Sequence, residues 1–333
     1  MKQVRKRKNT QFDAATHCMS STSRPPSPHL RSQVDDLRIM TWRWLSFTHI
    51  WISLGAFATS MVSGVWCSHD LALQGTGILM ATWVALSTGL GYSVQRAIKH
   101  AKHPQNMPSG RERFWTAHGR KMLVGWGLLW LAFNLRFFDE VQWHRPERQT
   151  VVALLALASL AYSVVPGFAG GLRRVTWLKV PLIAVVWATA TTMHPEAAFE
   201  PLLWAQRFIF IASLTLPFDI RDLAVDEHHI QTVASLKSPA WVLQTSRRGM
   251  HLSIILCAAA AWNQGATMPA VGPLMCMAQS LLAWWLLRDD KALGPLTSES
   301  EMVREKHAGW TLDGVLVAPL WLLSVLWLVT KMK

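Results

Sequence analysis

Three aspartates, Asp219, Asp222 and Asp226, follow an apolar run that ends at Leu216. If the helix of that run continues through Pro217, they fall at i, i+3 and i+7. They then line one face over about two turns, roughly 10 Å at ~1.5 Å per residue. Carboxylates at this spacing repel one another unless a cation sits between them. Mg²⁺ suits the place, because it takes one or two carboxylates while substrate phosphates and water fill its other positions. A solvated acidic helix end is the plainer reading of the same three residues. Two cationic stretches accompany the triplet. One runs from Gly91 to His100, with Tyr92, Gln95, Arg96 and Lys99, and is followed by Met107-Pro108-Ser109-Gly110-Arg111. The other holds Tyr162 and Ser163, then Arg173, Arg174 and Lys179.

The elements that must bring these stretches together are apolar. Hydrophobic residues make up 51% of the 333 and charged residues 16%. The apolar residues come in long, nearly uncharged runs rather than amphipathic stripes, which reads as membrane-spanning helices. Nine runs are expected, at about 44–65, 71–94, 122–138, 151–165, 175–192, 202–216, 253–262, 273–287 and 310–330; the seventh is expected to begin near Arg248 and to pass Asn263. The fold class is an all-α polytopic membrane protein with about nine transmembrane helices.

Loop charge supports this alternation. Eighteen Lys and Arg residues fall in the loops after runs 2, 4, 6 and 8, against only Arg136, Arg145 and Arg148 in the other loops. Positive charge marks cytoplasmic loops. The even loops, the triplet among them, and the N-terminus are therefore expected in the cytoplasm and the C-terminus outside, as in a bacterial cytoplasmic membrane. The net charge of +13 belongs to these loops and to the tail, so it does not indicate nucleic-acid binding.

Residues 1–43 form that tail, basic and then rich in Ser, Thr and Pro, and without an apolar signal region. They cannot bury enough apolar surface to order themselves, so a disordered cytoplasmic tail is expected ahead of a transmembrane domain over 44–333. The tail suits anionic lipid, and Met19 or Met40 would serve as an alternative start. Cys18, Cys67, Cys257 and Cys276 show no paired spacing and indicate neither zinc nor a disulfide framework. The tryptophans near span ends, such as Trp44, Trp66 and Trp310, suit the membrane interface. Arg207 is expected to snorkel to the outer surface. His251 and Gln279 are each expected to make one interhelical hydrogen bond, and His228 and His229 to be loop residues.

On these features the chain resembles the UbiA superfamily of intramembrane prenyltransferases. The resemblance covers about residues 44–330. It rests on nine spans, the D-x-x-D-x-x-x-D motif after the sixth, Tyr162-Ser163 followed by Leu178-Lys179, and Pro108-Ser109-Gly110-Arg111 after the second. The resemblance implies transfer of a prenyl group from a polyprenyl diphosphate to a lipid-soluble acceptor, inside the membrane. It implies Mg²⁺ on Asp219, Asp222 and Asp226, and the diphosphate on Arg96, Lys99, Lys179 and Arg221. Tyr92, Gln95, Tyr162 and Ser163 would line the pocket, and no residue is assigned as catalytic. The family's first acidic motif, after span 2, is missing: no Asp or Glu occurs between Asp70 and Glu112. Arg96 and Lys99 either bind the diphosphate directly, beside one Mg²⁺, or pair with the aspartates and close the site. The alternative function is accordingly a non-catalytic UbiA-like membrane protein with a binding or assembly role, which has lost the first Mg-binding motif. A transporter would need helices broken in repeated pairs, which the runs do not show.

Overall fold

The computed structural model describes residues 41–68, 75–102, 107, 109–141, 145–164, 171–172, 175–194, 199–226, 231–265, 270–288 and 292–331. The expected tail, apart from residues 41–43, and His228 and His229 lie outside them. Residues 41–47 are helical.

Nine long helices are present among the described residues: α1 (Ile50–Ser68), α2 (Gly75–Lys102), α3 (Ser109–Arg136), α4 (Pro146–Ser163), α5 (Thr176–Thr192), α6 (Pro201–Asp226), α7 (Pro239–Gly265), α8 (Val271–Leu287) and α9 (Asp313–Lys331). No strand occurs among the described residues. Four stretches are long and apolar enough to cross a membrane: Ile50–Ser68, Gly75–Lys102, Pro201–Leu223 and Met302–Val325; α8 is shorter and apolar. The chain is an all-α polytopic membrane protein.

In lipid every backbone polar group needs an internal partner, which is why the spans are helices. Two prolines test that requirement. Pro217 sits inside α6 and lacks the N–H that would bond the Ser213 carbonyl; the Ser246 hydroxyl of α7 donates to that carbonyl instead. Pro319 does the same to Val315 in α9, and Gln279 Nε2 of α8 donates to the Val315 carbonyl at 3.1 Å. The helix therefore passes through Pro217 and carries all three aspartates.

The helices approach closely where the sequence supplies small residues. A Cβ on Gly249 of α7 would overlap Ser213 Oγ of α6, and one on Gly272 of α8 would overlap the Trp66 backbone of α1. Trp66 is accordingly buried inside the bundle rather than set at its interface. α6 packs between α5 and α7, while α1 packs against α2 and α9. The main core lies where these sets meet, around Trp83, Trp187, Phe210, Ile211, Leu214 and Leu316. α7 begins at Pro239 rather than near Arg248, and α2 runs on to Lys102, past the apolar run. Both extensions carry charged turns that hydropathy alone cuts off.

Arg207 does not snorkel. It is fully buried, and its guanidinium donates to Ser63 Oγ at 3.0 Å, Gln279 Oε1 at 2.9 Å and the Thr59 carbonyl at 3.3 Å. Gln279 thus holds both the charge of α6 and the carbonyl freed by Pro319. A neighbouring network joins Gln206 Nε2 to Ser253 Oγ at 2.9 Å and Ser253 Oγ to Ser280 Oγ at 2.8 Å. The charge stays inside because α1 and α8 supply acceptors that the interface would otherwise provide.

Candidate functional site

The ends of α2, α4, α5 and α6 meet the segment before α9 around a cavity of about 270 Å³. Tyr92, Gln95, Arg96 and Lys99 of α2 lie at i, i+3, i+4 and i+7, on one helix face, and all four line it. Tyr162 and Ser163 enter from the end of α4, Lys179 from α5, and Arg221 and Asp222 from α6. Gln95 Nε2 donates to the Ser159 carbonyl at 3.4 Å, tying α2 to α4 at this level.

Lys179 occupies the place between the aspartates. Its Nζ lies 2.5 Å from Asp219 Oδ1 and 3.9 Å from Asp222 Oδ2. Asp219 is fully buried, does not line the cavity, and accepts the Val233 N–H at 3.3 Å. That contact holds the first turn of the short helix Val233–Leu236, which Thr232 and Ser235 close with a reciprocal capping box. Asp222 accepts from its neighbour Arg221, with Nε at 2.7 Å and Nη2 at 2.6 Å. Asp226 is on the same helix; its side chain lies outside the described residues.

Lys179 and Arg221, rather than Arg96, form ion pairs with Asp219 and Asp222. Arg96 makes no ion pair among the described residues, although it faces the cavity.

Further lining groups come from the segment before α9, from the start of α3 and from the turn before α1. Glu305 and Asp313 belong to a helical run that is continuous from Glu301 into α9, with a π-helical turn at His307–Leu312. Such turns are frequent at functional sites. Arg111, at the start of α3, donates to Glu305 Oε2 at 2.5 Å, and both are buried. His49 precedes α1 with φ 63°, a left-handed conformation that is uncommon and strained for a residue with a Cβ. It is buried, and its Nδ1 shares a 3.1 Å hydrogen bond with Ser93 Oγ. Arg304 also lines the cavity. Asp313 was legible: it is a carboxylate inside an apolar run, and such a residue is a site candidate by default. Arg111 closes the Pro108-Ser109-Gly110-Arg111 stretch already noted in the sequence, whereas Glu305 carried no signal, because nothing in the sequence joins two loops nearly 200 residues apart.

The charge around the cavity is uneven. Six cations (Arg96, Lys99, Arg111, Lys179, Arg221 and Arg304) face three carboxylates (Asp222, Glu305 and Asp313). Beside it lies a second, largely apolar cavity of about 400 Å³ between α2, α3, α4 and α5, bounded by Trp83, Trp130, Leu155, Ala156 and Val186. The two share Tyr92, Gln95, Tyr162, Ile183 and Trp187 as walls. The arrangement suits a ligand with an anionic head and an apolar chain.

This is the fold of the UbiA homologs. The structure is similar to the apo UbiA homolog from Aeropyrum pernix K1 with a TM-score of 0.56 and 15% identity, over 81% of this chain and 97% of that one. It is similar to the UbiA homolog from Archaeoglobus fulgidus bound to GPP and Mg²⁺, with a TM-score of 0.51 and 15% identity, over 84% of this chain and 99% of that one. The same homolog bound to DMAPP and Mg²⁺ gives a TM-score of 0.51, 15% identity and coverage of 84% and 98%. No protein-family model and no curated protein matches the sequence.

The Mg²⁺ that accompanies GPP and DMAPP in the Archaeoglobus structures does not fit the described donors of this site as they are paired. Asp219 is already paired with Lys179 and accepts the Val233 N–H, and Asp222 is already paired with Arg221. No group of three or more His, Cys, Asp or Glu side chains is arranged to hold a metal ion among the described residues.

Proposed function

We propose that this protein takes a prenyl diphosphate, with its head in the cationic cavity and its chain in the apolar one, and transfers the prenyl group to a lipid-soluble acceptor. One observation carries the reading: an anion-attracting cavity and an apolar cavity share a wall of five residues. The fold adds support, since a homolog of the same architecture is bound to GPP and to DMAPP.

The reaction asks little covalent chemistry of the protein. The bond between the allylic carbon and the diphosphate oxygen breaks, and its electron pair leaves with the diphosphate. The acceptor carbon then bonds to the allylic cation and loses a proton. Arg96, Lys99 and Arg221 stabilise the charge that develops on the leaving group, and the walls formed by Tyr92, Tyr162 and Trp187 keep water from the cation. Mg²⁺ on Asp219, Asp222 and Asp226 would require Lys179 and Arg221 to give up their carboxylates first. The loop charges support a head cavity on the cytoplasmic side.

A second reading, a UbiA-like binding or assembly protein without catalysis, is favoured by the ion pairs that occupy Asp219 and Asp222. The two are separated by incubating proteoliposomes with radiolabelled GPP and a membrane lipid extract. Release of diphosphate together with label in a new lipid, both lost in Arg96→Gln, is expected for a transferase. Saturable GPP binding without diphosphate release assigns the second reading.

A further inference from the structure

We infer that this site holds the diphosphate through protein cations and without a divalent metal; the inference rests on the prenyl diphosphate reading above. Three carboxylates of the site, Asp219, Asp222 and Glu305, are already paired within the protein. Of the carboxylates that line the cavity, Asp222 is taken by Arg221 and Glu305 by Arg111. Asp219, just behind the wall, is taken by Lys179 at 2.5 Å. The position between two carboxylates that a divalent ion would take is filled by an ammonium group, which lies against both of them.

The facing wall is cationic as well. Arg96 projects from α2 into the cavity with no ion pair among the described residues, and Lys99 stands one turn further on. A guanidinium cannot shed its charge in a protein, so half-burial at the end of an apolar helix leaves it dependent on water or on an anion. A diphosphate supplies that anion in the form guanidinium groups match best, with paired oxygens accepting two N–H bonds. A divalent cation placed beside Arg96, Arg221 and Lys179 meets three like charges at short range. The ligand's multiple negative charge is instead balanced by the surplus of lining cations over lining carboxylates.

The carboxylates then have a defined part. Asp219 and Asp222 orient Lys179 and Arg221 and partly neutralise them. This gives the aspartates a sign opposite to that of metal ligands: removing one frees a cation for the ligand.

The test uses the full-length protein in detergent, with GPP titrated calorimetrically in EDTA and again in millimolar MgCl₂. Equal affinity under both conditions, within about twofold, is the expected result, with Arg96→Gln weaker by roughly 10- to 100-fold, the loss of one or two charge-assisted hydrogen bonds. Asp222→Asn is expected to bind GPP about 3-fold more tightly, because Arg221 and Lys179 lose a competing carboxylate. Binding that appears only with Mg²⁺ would overturn this inference while leaving the prenyl diphosphate reading in place. The inference fails in the same way if Asp222→Asn abolishes binding in protein that is monodisperse and unfolds like the parent. Absence of GPP binding under both conditions would overturn both. If Asp222→Asn does not fold, the EDTA comparison and Arg96→Gln decide between the outcomes alone.

Discussion

The sharpest structural test is Lys179→Met. Methionine keeps much of the volume and removes the charge that lies 2.5 Å from Asp219 Oδ1. Asp219 has 0% exposure and would keep a single partner, the Val233 N–H at 3.3 Å. Breaking a buried pair by removing one partner costs about 3–5 kcal/mol, because the remaining charge stays desolvated. The Lys179 side chain retains 12% exposure toward the cavity, so water enters where it leaves, and the expected loss is at the lower end, about 3 kcal/mol. Lys179→Met combined with Asp219→Leu removes both charges and is expected to recover most of that loss. The assay is unfolding in mixed micelles with increasing SDS, followed by tryptophan fluorescence and far-UV circular dichroism. A single variant within about 1 kcal/mol of the parent would refute the pairing of Lys179 with Asp219 as a stabilising contact. Recovery of the single variant by MgCl₂ would instead show that Asp219 accepts a metal in place of the ammonium group, and would count against a site without a divalent ion.

Three further outcomes follow from particular contacts. Arg207→Met removes three hydrogen bonds that cross to α1 and α8, and is expected to lower stability by about 2–4 kcal/mol in the same SDS titration, with Arg207→Lys intermediate. Ser246→Ala strips the Ser213 carbonyl of its donor; the expected loss is about 1–2 kcal/mol, and the same change in a Pro217→Ala background is expected to matter less, since Ala restores the helical N–H. In the apolar cavity, Ala156→Phe takes up space beside α4 six residues before the shared wall at Tyr162, and geranylgeranyl diphosphate is expected to lose affinity roughly 10-fold more than GPP does, measured by competition binding.

The helices were legible in the sequence because a span in lipid has to be long, apolar and internally hydrogen-bonded, and those demands leave a one-dimensional trace. The apolar runs and the 3.6-residue spacing of Asp219, Asp222 and Asp226 are traces of this kind. So is the shared face of Tyr92, Gln95, Arg96 and Lys99, all four of which line one cavity. Helix ends were less legible: α2 and α7 extend through charged turns that hydropathy reads as loop. Partner choice was not legible at all. Arg207 has the same side chain whether it snorkels or turns inward, and only the arrival of Ser63, Gln279 and the Thr59 carbonyl from other helices settles it. In the same way, Arg96 and Lys99 were the cations expected to pair with the aspartates, and it is the packing of α5 against α6 that brings Lys179 to Asp219 and Asp222. Periodicity is a property of one segment and survives in its sequence; a salt bridge is a choice among several possible partners, made by how the helices pack.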